Sequence, residues 1–184
     1  SFKYVRKNDM KWRIAMRIAH ISDVHYHPSQ KNFTVEILNP LIKDLKEQNG
    51  ERCIDLICYT GDLIDKGGFD ISKPVTTAEC FQEFEKNFIL PIIDSLGLNR
   101  SRFLFVPGNH DIDRSKIIQN FENGLITTLN NEEIIQVNMD NPSQLHLERI
   151  DDYKRFERSY FKDNDAYKDN EFGYGYSLET SEGT

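Results

Sequence analysis

Three short apolar segments, each followed at once by polar residues, constrain most strongly how this chain can fold. They occupy residues 13–21, 53–59 and 103–106, and short apolar runs of this kind are typical of buried β-strands. Longer segments with a helical spacing of apolar residues lie between them. This alternation of strand and helix predicts an α/β fold with a largely parallel sheet.

The two segments between the strands each carry the signature of an amphipathic helix. The first has apolar residues at every fourth position over residues 33–45. The second begins with Thr76 and Glu79, whose spacing is that of a capping box, and continues with phenylalanines at helical spacing. Pro40 and Pro91 fall inside these patterns. Because proline cannot donate a backbone hydrogen bond, each helix is predicted to kink or split there.

The composition predicts one domain with a sizeable core and no membrane segment. Of the 184 residues, 38% are hydrophobic and 11% aromatic, but Asp, Lys or Pro interrupts every long apolar run. No apolar segment follows the basic start of the chain, so we predict no signal peptide. The cysteines lack the spacing of a zinc site or a disulfide framework, and two of them lie inside an apparent buried strand, which predicts reduced core residues of a cytoplasmic protein. They are Cys53, Cys58 and Cys80.

Acidic residues are concentrated in the second half of the chain. The net charge is −7, and residues 131–172 hold eleven acidic and six basic side chains, a net charge of −5. Such a segment repels a polyanion. The charge therefore disfavours nucleic acid as a partner, although it does not exclude one.

Side chains that can bind metal follow each of the three strands. Asp23 and His25 come after the first strand, Asp62 after the second and Asn109 after the third. Because the carboxyl ends of parallel strands share one edge of a sheet, these side chains are predicted to converge there. A solvated turn explains any one of these groups but not three together. Mixed oxygen and nitrogen donors suit manganese, iron or zinc, and two ions about 3.5–4 Å apart activate water and clamp a phosphoryl group.

Three strings at these positions resemble the first three motifs of the calcineurin-like metallophosphoesterase superfamily: DVH, GDLID and GNHD, in this order after successive strands. The resemblance covers about residues 12–114. It implies a layered α/β/β/α sandwich, of which this chain supplies the first, largely parallel sheet with its helices and a cap-like segment. It also implies two divalent metal ions, with Asp23 and His25 holding one, Asp62 bridging both and Asn109 holding the other.

The same resemblance implies a hydrolase that acts on phosphoesters. A hydroxide bridging the two ions attacks phosphorus, while His110 assists the leaving group as general acid or charge stabiliser and Asp111 orients its ring. The implied substrates are phosphorylated small molecules, nucleotides or phosphoproteins, and the sequence does not choose among them. The alternative is a non-catalytic binding or scaffold module that retains the fold.

Several other polar or aromatic residues receive structural interpretations. His20, inside the first strand, is predicted to pack in the core, whereas His27 is predicted to lie on the surface. Asp65 is interpreted as a loop carboxylate that orders the GDLID turn. His146 lacks the neighbouring glycine and second histidine of a metal motif. Aromatic residues over 153–160 form a helical stripe that is predicted to pack against the domain.

The chain lacks some features of a complete phosphoesterase of this kind. The later histidine motifs of the superfamily, a lone His and Gly-His-x-His, are not found, and the hairpin predicted after residues 174–179 is incomplete. We therefore expect an N-terminal extension over residues 1–11 and a phosphoesterase domain over 12–184 that is incomplete at its C-terminus. About residues 112–170 are predicted to form a cap-like insertion beside the cleft. The remaining ligands are expected from a further C-terminal part of the same protein, and this chain alone is predicted to be inactive.

Overall fold

Three parallel strands form the sheet that carries the candidate site. A computed structural model of the protein describes residues 16–70, 74–128, 135–137, 140, 147–171 and 173–178. Within these residues β1 pairs with β2 and β2 with β3, both in parallel, which confirms the predicted α/β fold and parallel sheet. The strands are β1 (Ile18–Ile21), β2 (Leu56–Thr60) and β3 (Phe103–Val106).

Helices alternate with these strands in the predicted order. Helix α1 (Asn39–Glu51) lies between β1 and β2, and helices α2 (Thr77–Phe84) and α3 (Leu90–Leu96) lie between β2 and β3. The elements that follow are α4 (Gln119–Thr128), α5 (Asp151–Phe161), β4 (Tyr167–Asn170) and β5 (Gly173–Tyr176).

The two long helical segments are interrupted just before each proline. A wide π-helical turn over Thr34–Leu38 precedes α1, whose second residue is Pro40. A second such turn over Glu85–Ile89 precedes α3, whose second residue is Pro91. Proline has no N–H, and its ring crowds the carbonyl four residues earlier, so a wider turn relieves this contact. The predicted interruption at each proline is confirmed.

Local capping defines where the second helical segment begins and ends. The Thr76 hydroxyl accepts a hydrogen bond from the Glu79 amide at 3.2 Å, and the Thr76 amide donates to the Glu79 carboxylate at 3.0 Å. This reciprocal pair is the predicted capping box. The segment ends at Gly97, whose φ of 67° lies in the left-handed region that glycine adopts readily.

The two faces of the sheet differ sharply in burial. On one face Ile57, Tyr59 and Phe105 are at most 1% exposed, because α2, α3 and α5 cover them. His20 lies on the opposite face and is exposed, with its Nε2 atom 2.5 Å from the hydroxyl of Thr60. The prediction of a core histidine at position 20 is therefore wrong. Alternate residues of a strand point to opposite faces, and within the described residues helices cover one face, the one opposite to His20.

Helix α5 packs against the sheet and α2 through its aromatic stripe. Tyr153 and Phe156 are buried, and the ring of Phe156 stacks on Phe105 with centroids 5.1 Å apart. The predicted packing of this stripe is confirmed. Helix α5 belongs to the range 112–170 that was predicted to form a cap-like insertion, so this part of the range is core. Its apolar face finds a partner in the sheet and leaves only the polar face to solvent.

A tyrosine of the antiparallel pair β4–β5 bonds to the backbone at the free edge of β3. The hydroxyl of Tyr174 accepts a hydrogen bond from the Phe105 amide at 3.0 Å and donates one to the Phe105 carbonyl at 2.8 Å. These bonds satisfy backbone groups that an edge strand would otherwise leave unpaired. The hairpin predicted after residues 174–179 and the side chain of His146 lie outside the described residues. None of the helices in the described segments has the length and apolar character needed to cross a membrane.

Candidate metal centre

The loops after the three strands are joined by backbone hydrogen bonds that continue the sheet. The Asp23 amide donates to the Gly61 carbonyl at 3.1 Å, and the His25 amide donates to the Asp62 carbonyl at 3.1 Å. The Gly61 amide donates to the Val106 carbonyl at 3.0 Å. The predicted ligands therefore share a continuous hydrogen-bonded edge at the carboxyl ends of the strands, where α/β sheets bind ligands.

Several residues of these loops adopt an unusual backbone conformation. For a residue with a side chain, a left-handed φ costs about 1–3 kcal/mol and persists only where the surrounding structure enforces it. The Tyr59 hydroxyl provides part of this enforcement, because it accepts from the Val24 amide at 2.8 Å and donates to the Asp62 carbonyl at 3.1 Å. Burial raises the pKa of Tyr59 well above its usual range, so the hydroxyl keeps its proton. The left-handed non-glycine residues are Asp23, His25, Asp62 and Lys66, with φ between 48° and 57°.

Gly108 allows the third loop to approach the Asp62 carboxylate. A Cβ atom at position 108 would lie 2.2 Å from Asp62 Oδ1 and 2.4 Å from the Asp62 backbone nitrogen, which no side chain can tolerate. Two residues on, the His110 amide donates to Asp62 Oδ1 at 2.9 Å. The carboxylate of Asp62 is thereby oriented, with Oδ2 3.7 Å from His25 Nε2.

A cluster of three donors forms the centre of the site. His25, Asp62 and His110 each offer a ligand atom, and these atoms lie within 4.8 Å of one another. The rings of His25 and His110 are in edge contact, with centroids 4.5 Å apart. The Nδ1 atom of His25 is buried and has no hydrogen-bond partner among the described residues. The other ring nitrogen, Nε2, faces the Asp62 carboxylate, and imidazole and carboxylate donors together fit a divalent ion such as manganese, iron or zinc.

The other two predicted ligands lie around this cluster. Asp23 and Asn109 are exposed, and Asp23 is not part of the three-residue group. His110, which was not predicted to be a ligand, is part of it.

The ring of His110 is held by a residue other than the predicted one. Its Nδ1 atom lies 3.2 Å from Asp65 Oδ1 and 3.3 Å from the Lys66 backbone nitrogen. When Nδ1 carries the proton, it donates to the Asp65 carboxylate, and Nε2 remains available on the other side of the ring. Asp65 was predicted to be a loop carboxylate. Its place at the end of GDLID, three residues after Asp62, is the sequence signal that could have identified it as the partner of the His110 ring.

Asp111 holds the loops rather than the His110 ring. Its carboxylate is fully buried and accepts hydrogen bonds from the amides of Leu63 at 3.1 Å, Ile64 at 2.9 Å and Gly108 at 2.7 Å. Burial raises the pKa of Asp111 to about 6, although these hydrogen bonds oppose the shift. The predicted contact with the ring is therefore corrected, because both oxygens of the Asp111 carboxylate bond to backbone N–H groups and the His110 ring faces Asp65 instead.

A profile of the calcineurin-like phosphoesterases matches residues 16–177 of this chain. The chain belongs to this family. The match extends beyond the region of the three motifs and includes α5 and the β4–β5 pair. The family assignment confirms the resemblance from the motifs.

One curated relative of this phosphoesterase is the uncharacterized metallophosphoesterase-like protein YydB of Bacillus subtilis (strain 168). The two proteins are 30% identical over 99 residues, which cover 54% of this chain. The matched part of the chain spans only 18% of the length of YydB.

A buried histidine connects two loops next to the candidate metal centre. His27 is 4% exposed, and its Nδ1 and Nε2 atoms lie 2.7 Å from the Ser29 hydroxyl and 3.1 Å from the Gly68 carbonyl. It therefore connects the loop after β1 with the loop after β2. The prediction of a surface histidine at this position is wrong, because the Gly67–Gly68 turn folds over the ring.

Proposed function

We propose that this chain forms part of the active site of a phosphoester hydrolase that uses two divalent ions. The observation that carries the proposal is the convergence of His25, Asp62 and His110 within 4.8 Å at the carboxyl edge of a parallel sheet. These residues come from three different loops, and the family of the chain is that of the calcineurin-like phosphoesterases.

Asp23, His25, Asp62 and Asn109 are the proposed ligands of the two ions, which are manganese, iron or zinc. The carboxylate of Asp62 is well placed to serve both, because one oxygen is fixed by the His110 amide and the other faces His25. When bound, such ions lower the pKa of water and neutralise the charge that builds up on a phosphoryl group.

His110 is the proposed general acid for the leaving group. Its Nδ1 atom faces the Asp65 carboxylate, so Nε2 is the ring nitrogen from which a proton can be transferred to the departing oxygen. Asp65 acts through the ring and is a positioning residue. Asp111 contributes indirectly, since it ties the amide of Gly108 to those of Leu63 and Ile64.

We also propose that further ligands come from another part of the same protein. Among the described residues there is no second group of three His, Cys, Asp or Glu side chains with metal-binding geometry. Four protein ligands are few for two transition-metal ions, which usually take four or more donors each. The fraction of YydB that this chain matches, 18%, agrees with a larger whole protein.

The proposal is tested on the full-length protein, stripped of metal and reloaded with manganese, iron or zinc. Hydrolysis of p-nitrophenyl phosphate and bis(p-nitrophenyl) phosphate is measured together with metal content by elemental analysis. We expect metal-dependent turnover that Asp62→Ala abolishes along with bound metal. Asp44→Ala, the same change at an exposed position of α1, is the control and should have no effect. Full activity and two equivalents of metal in Asp62→Ala would refute the proposal.

A further inference from the structure

Phe69 is an aromatic residue whose ring is not packed. Its side chain is 62% exposed, whereas every other Phe or Tyr in the described segments is buried or half-buried. A single exposed apolar residue is common on protein surfaces and needs no explanation by itself. Phe69 differs from such residues because it follows a turn that is hydrogen-bonded to the loop of His110.

The turn that presents Phe69 is rigidly attached to the site. The Gly67 amide donates to the His110 carbonyl at 2.8 Å, and the Gly67 carbonyl accepts from the Thr77 hydroxyl at 2.8 Å. The next carbonyl, that of Gly68, lies 3.1 Å from the buried ring of His27.

The glycines of this turn cannot be replaced without moving it. Gly67 has a φ of 65°, and a Cβ atom there would lie 2.1 Å from the Ile112 carbonyl oxygen. The backbone that carries Phe69 is therefore fixed in one conformation relative to His110, while its ring is left open to solvent. Fixed backbone and free aromatic surface together are the properties of a preorganised binding platform.

A cavity of about 360 Å³ lies against this ring. Its walls include Asp65, which holds His110, as well as Lys66, Ser29 and Gln30. This volume is at the lower end of the range found for small-molecule sites, about 300–1,000 Å³. One wall is thus an exposed aromatic side chain and the others carry hydrogen-bonding and charged groups, which suits a planar heterocycle with polar edges.

We propose that Phe69 stacks on a planar ring in the leaving group of the substrate, so that the preferred substrates are nucleotide-type phosphoesters. This inference rests on the proposed hydrolase function, because the cavity that Phe69 lines is also lined by Asp65, the residue that holds the His110 ring. Stacking on an aromatic face tolerates different bases, since each has a π-face. Ser29, Gln30 and Lys66 then contact the polar edges of the ring.

The test compares two ligands that differ only in the ring. Adenosine 5′-monophosphate and ribose 5-phosphate share the same primary alcohol as leaving group, so their chemistry at phosphorus is alike. Binding of their non-hydrolysable phosphonate analogues to the manganese-loaded full-length protein is measured by calorimetry. Hydrolysis of the two phosphates and of their methyl diesters is followed separately.

We expect the adenosine ligand to bind roughly 5- to 150-fold more tightly than the ribose ligand, which is the gain in affinity that stacking of one base on an aromatic residue provides. Phe69→Ala should bring this ratio close to one, and Phe69→Trp should preserve it. Val35→Ala, at a residue that is 70% exposed on another surface, should keep the wild-type ratio. Melting curves of each variant verify that it is folded.

The outcomes separate this inference from the proposed function. A ratio near one in the wild-type protein, or an unchanged ratio in Phe69→Ala, overturns the stacking role even if both phosphates are hydrolysed. A ring-dependent ratio that Phe69→Ala removes supports the stacking role even if no hydrolysis is detected, in which case only the hydrolase proposal fails.

Discussion

The Nδ1 atom of His110 lies 3.2 Å from the Asp65 carboxylate, across a chain separation of 45 residues. This contact joins the loop after β3 to the loop after β2 at the point where the predicted ligands converge. It fixes the orientation of the ring, which forms one cluster with His25 and Asp62.

Replacing His110 tests its role in leaving-group departure. In the full-length protein, His110→Gln should retain bound metal while kcat falls by about 10²–10⁴-fold, the usual value of general acid assistance. The loss should shrink for nitrophenyl esters, whose leaving group needs little protonation, and remain large for alkyl esters. Metal analysis and a leaving-group series on one purified variant measure both quantities. Loss of metal together with a leaving-group-independent decrease would show that His110 is a ligand instead.

Asp65 and Asp111 should respond differently to the same substitution. Asp65→Asn should reduce kcat in the pattern of His110→Gln but to a smaller extent, because the ring loses its partner and keeps its place. Asp111→Asn should chiefly lower the free energy of unfolding, by about 1–3 kcal/mol, because an amide N–H₂ group cannot accept from buried backbone amides. Kinetics and urea denaturation of the two variants distinguish these effects. If Asp111→Asn lowered kcat as much as Asp65→Asn and left the free energy of unfolding unchanged, Asp111 would be the residue that orients the ring.

Gly108→Ala should disrupt the centre through its effect on Asp62. The added methyl group would lie 2.2 Å from Asp62 Oδ1, so the carboxylate or the loop has to move. We expect lower metal content and a lower melting temperature. Gly50→Ala is the matched control, because a Cβ there meets nothing within 4 Å and alanine favours a helix by roughly 0.5–1 kcal/mol. A Gly108→Ala variant with native metal content would show that the close approach is not required.

The thiols of the chain should differ strongly in reactivity. Cys53 is exposed, so its prediction as a core residue is wrong. Cys80 is fully buried, as predicted, and burial raises the pKa of its thiol to about 12. Because the thiolate is the reactive form, an alkylating reagent should label Cys53 rapidly and Cys80 only after the core opens. Mass spectrometry of labelled peptides with and without urea gives the two rates. Rapid labelling of Cys80 in the native protein would contradict the packing of α2 on the sheet.

This chain alone should bind divalent metal weakly. It offers Asp23, His25, Asp62 and Asn109, and we expect an incomplete ligand set to leave bound ions partly hydrated and easily lost. Hydrolysis of a nitrophenyl phosphodiester in the presence of manganese should be negligible. Turnover equal to that of the full-length protein would overturn the proposal that further ligands come from elsewhere in the protein.

Much of the framework was predictable because it depends on neighbours in the sequence. The capping box of Thr76 and Glu79, the interruptions before Pro40 and Pro91 and the strand Phe103–Val106 all appear in the structure as predicted. Each depends on interactions within a few residues or on the restrictions of one residue type. The two-ion assignment to Asp23, His25, Asp62 and Asn109 remains a prediction, because it concerns ions that the chain would bind rather than its own contacts.

Apolar periodicity and turn residues reflect interactions between neighbours in the chain. The alternation of strands and helices, and the sheet edge at which the polar residues meet, could therefore be predicted from the sequence alone. Only the tertiary structure decided which carboxylate reaches which partner. Asp111 bonds to the amide of Ile64 across 47 residues, and this contact leaves Asp65 to hold His110. The burial of His27 and the exposure of His20 have the same origin, because they depend on which distant element covers each face. No local pattern encodes that choice, which is made when the whole chain packs.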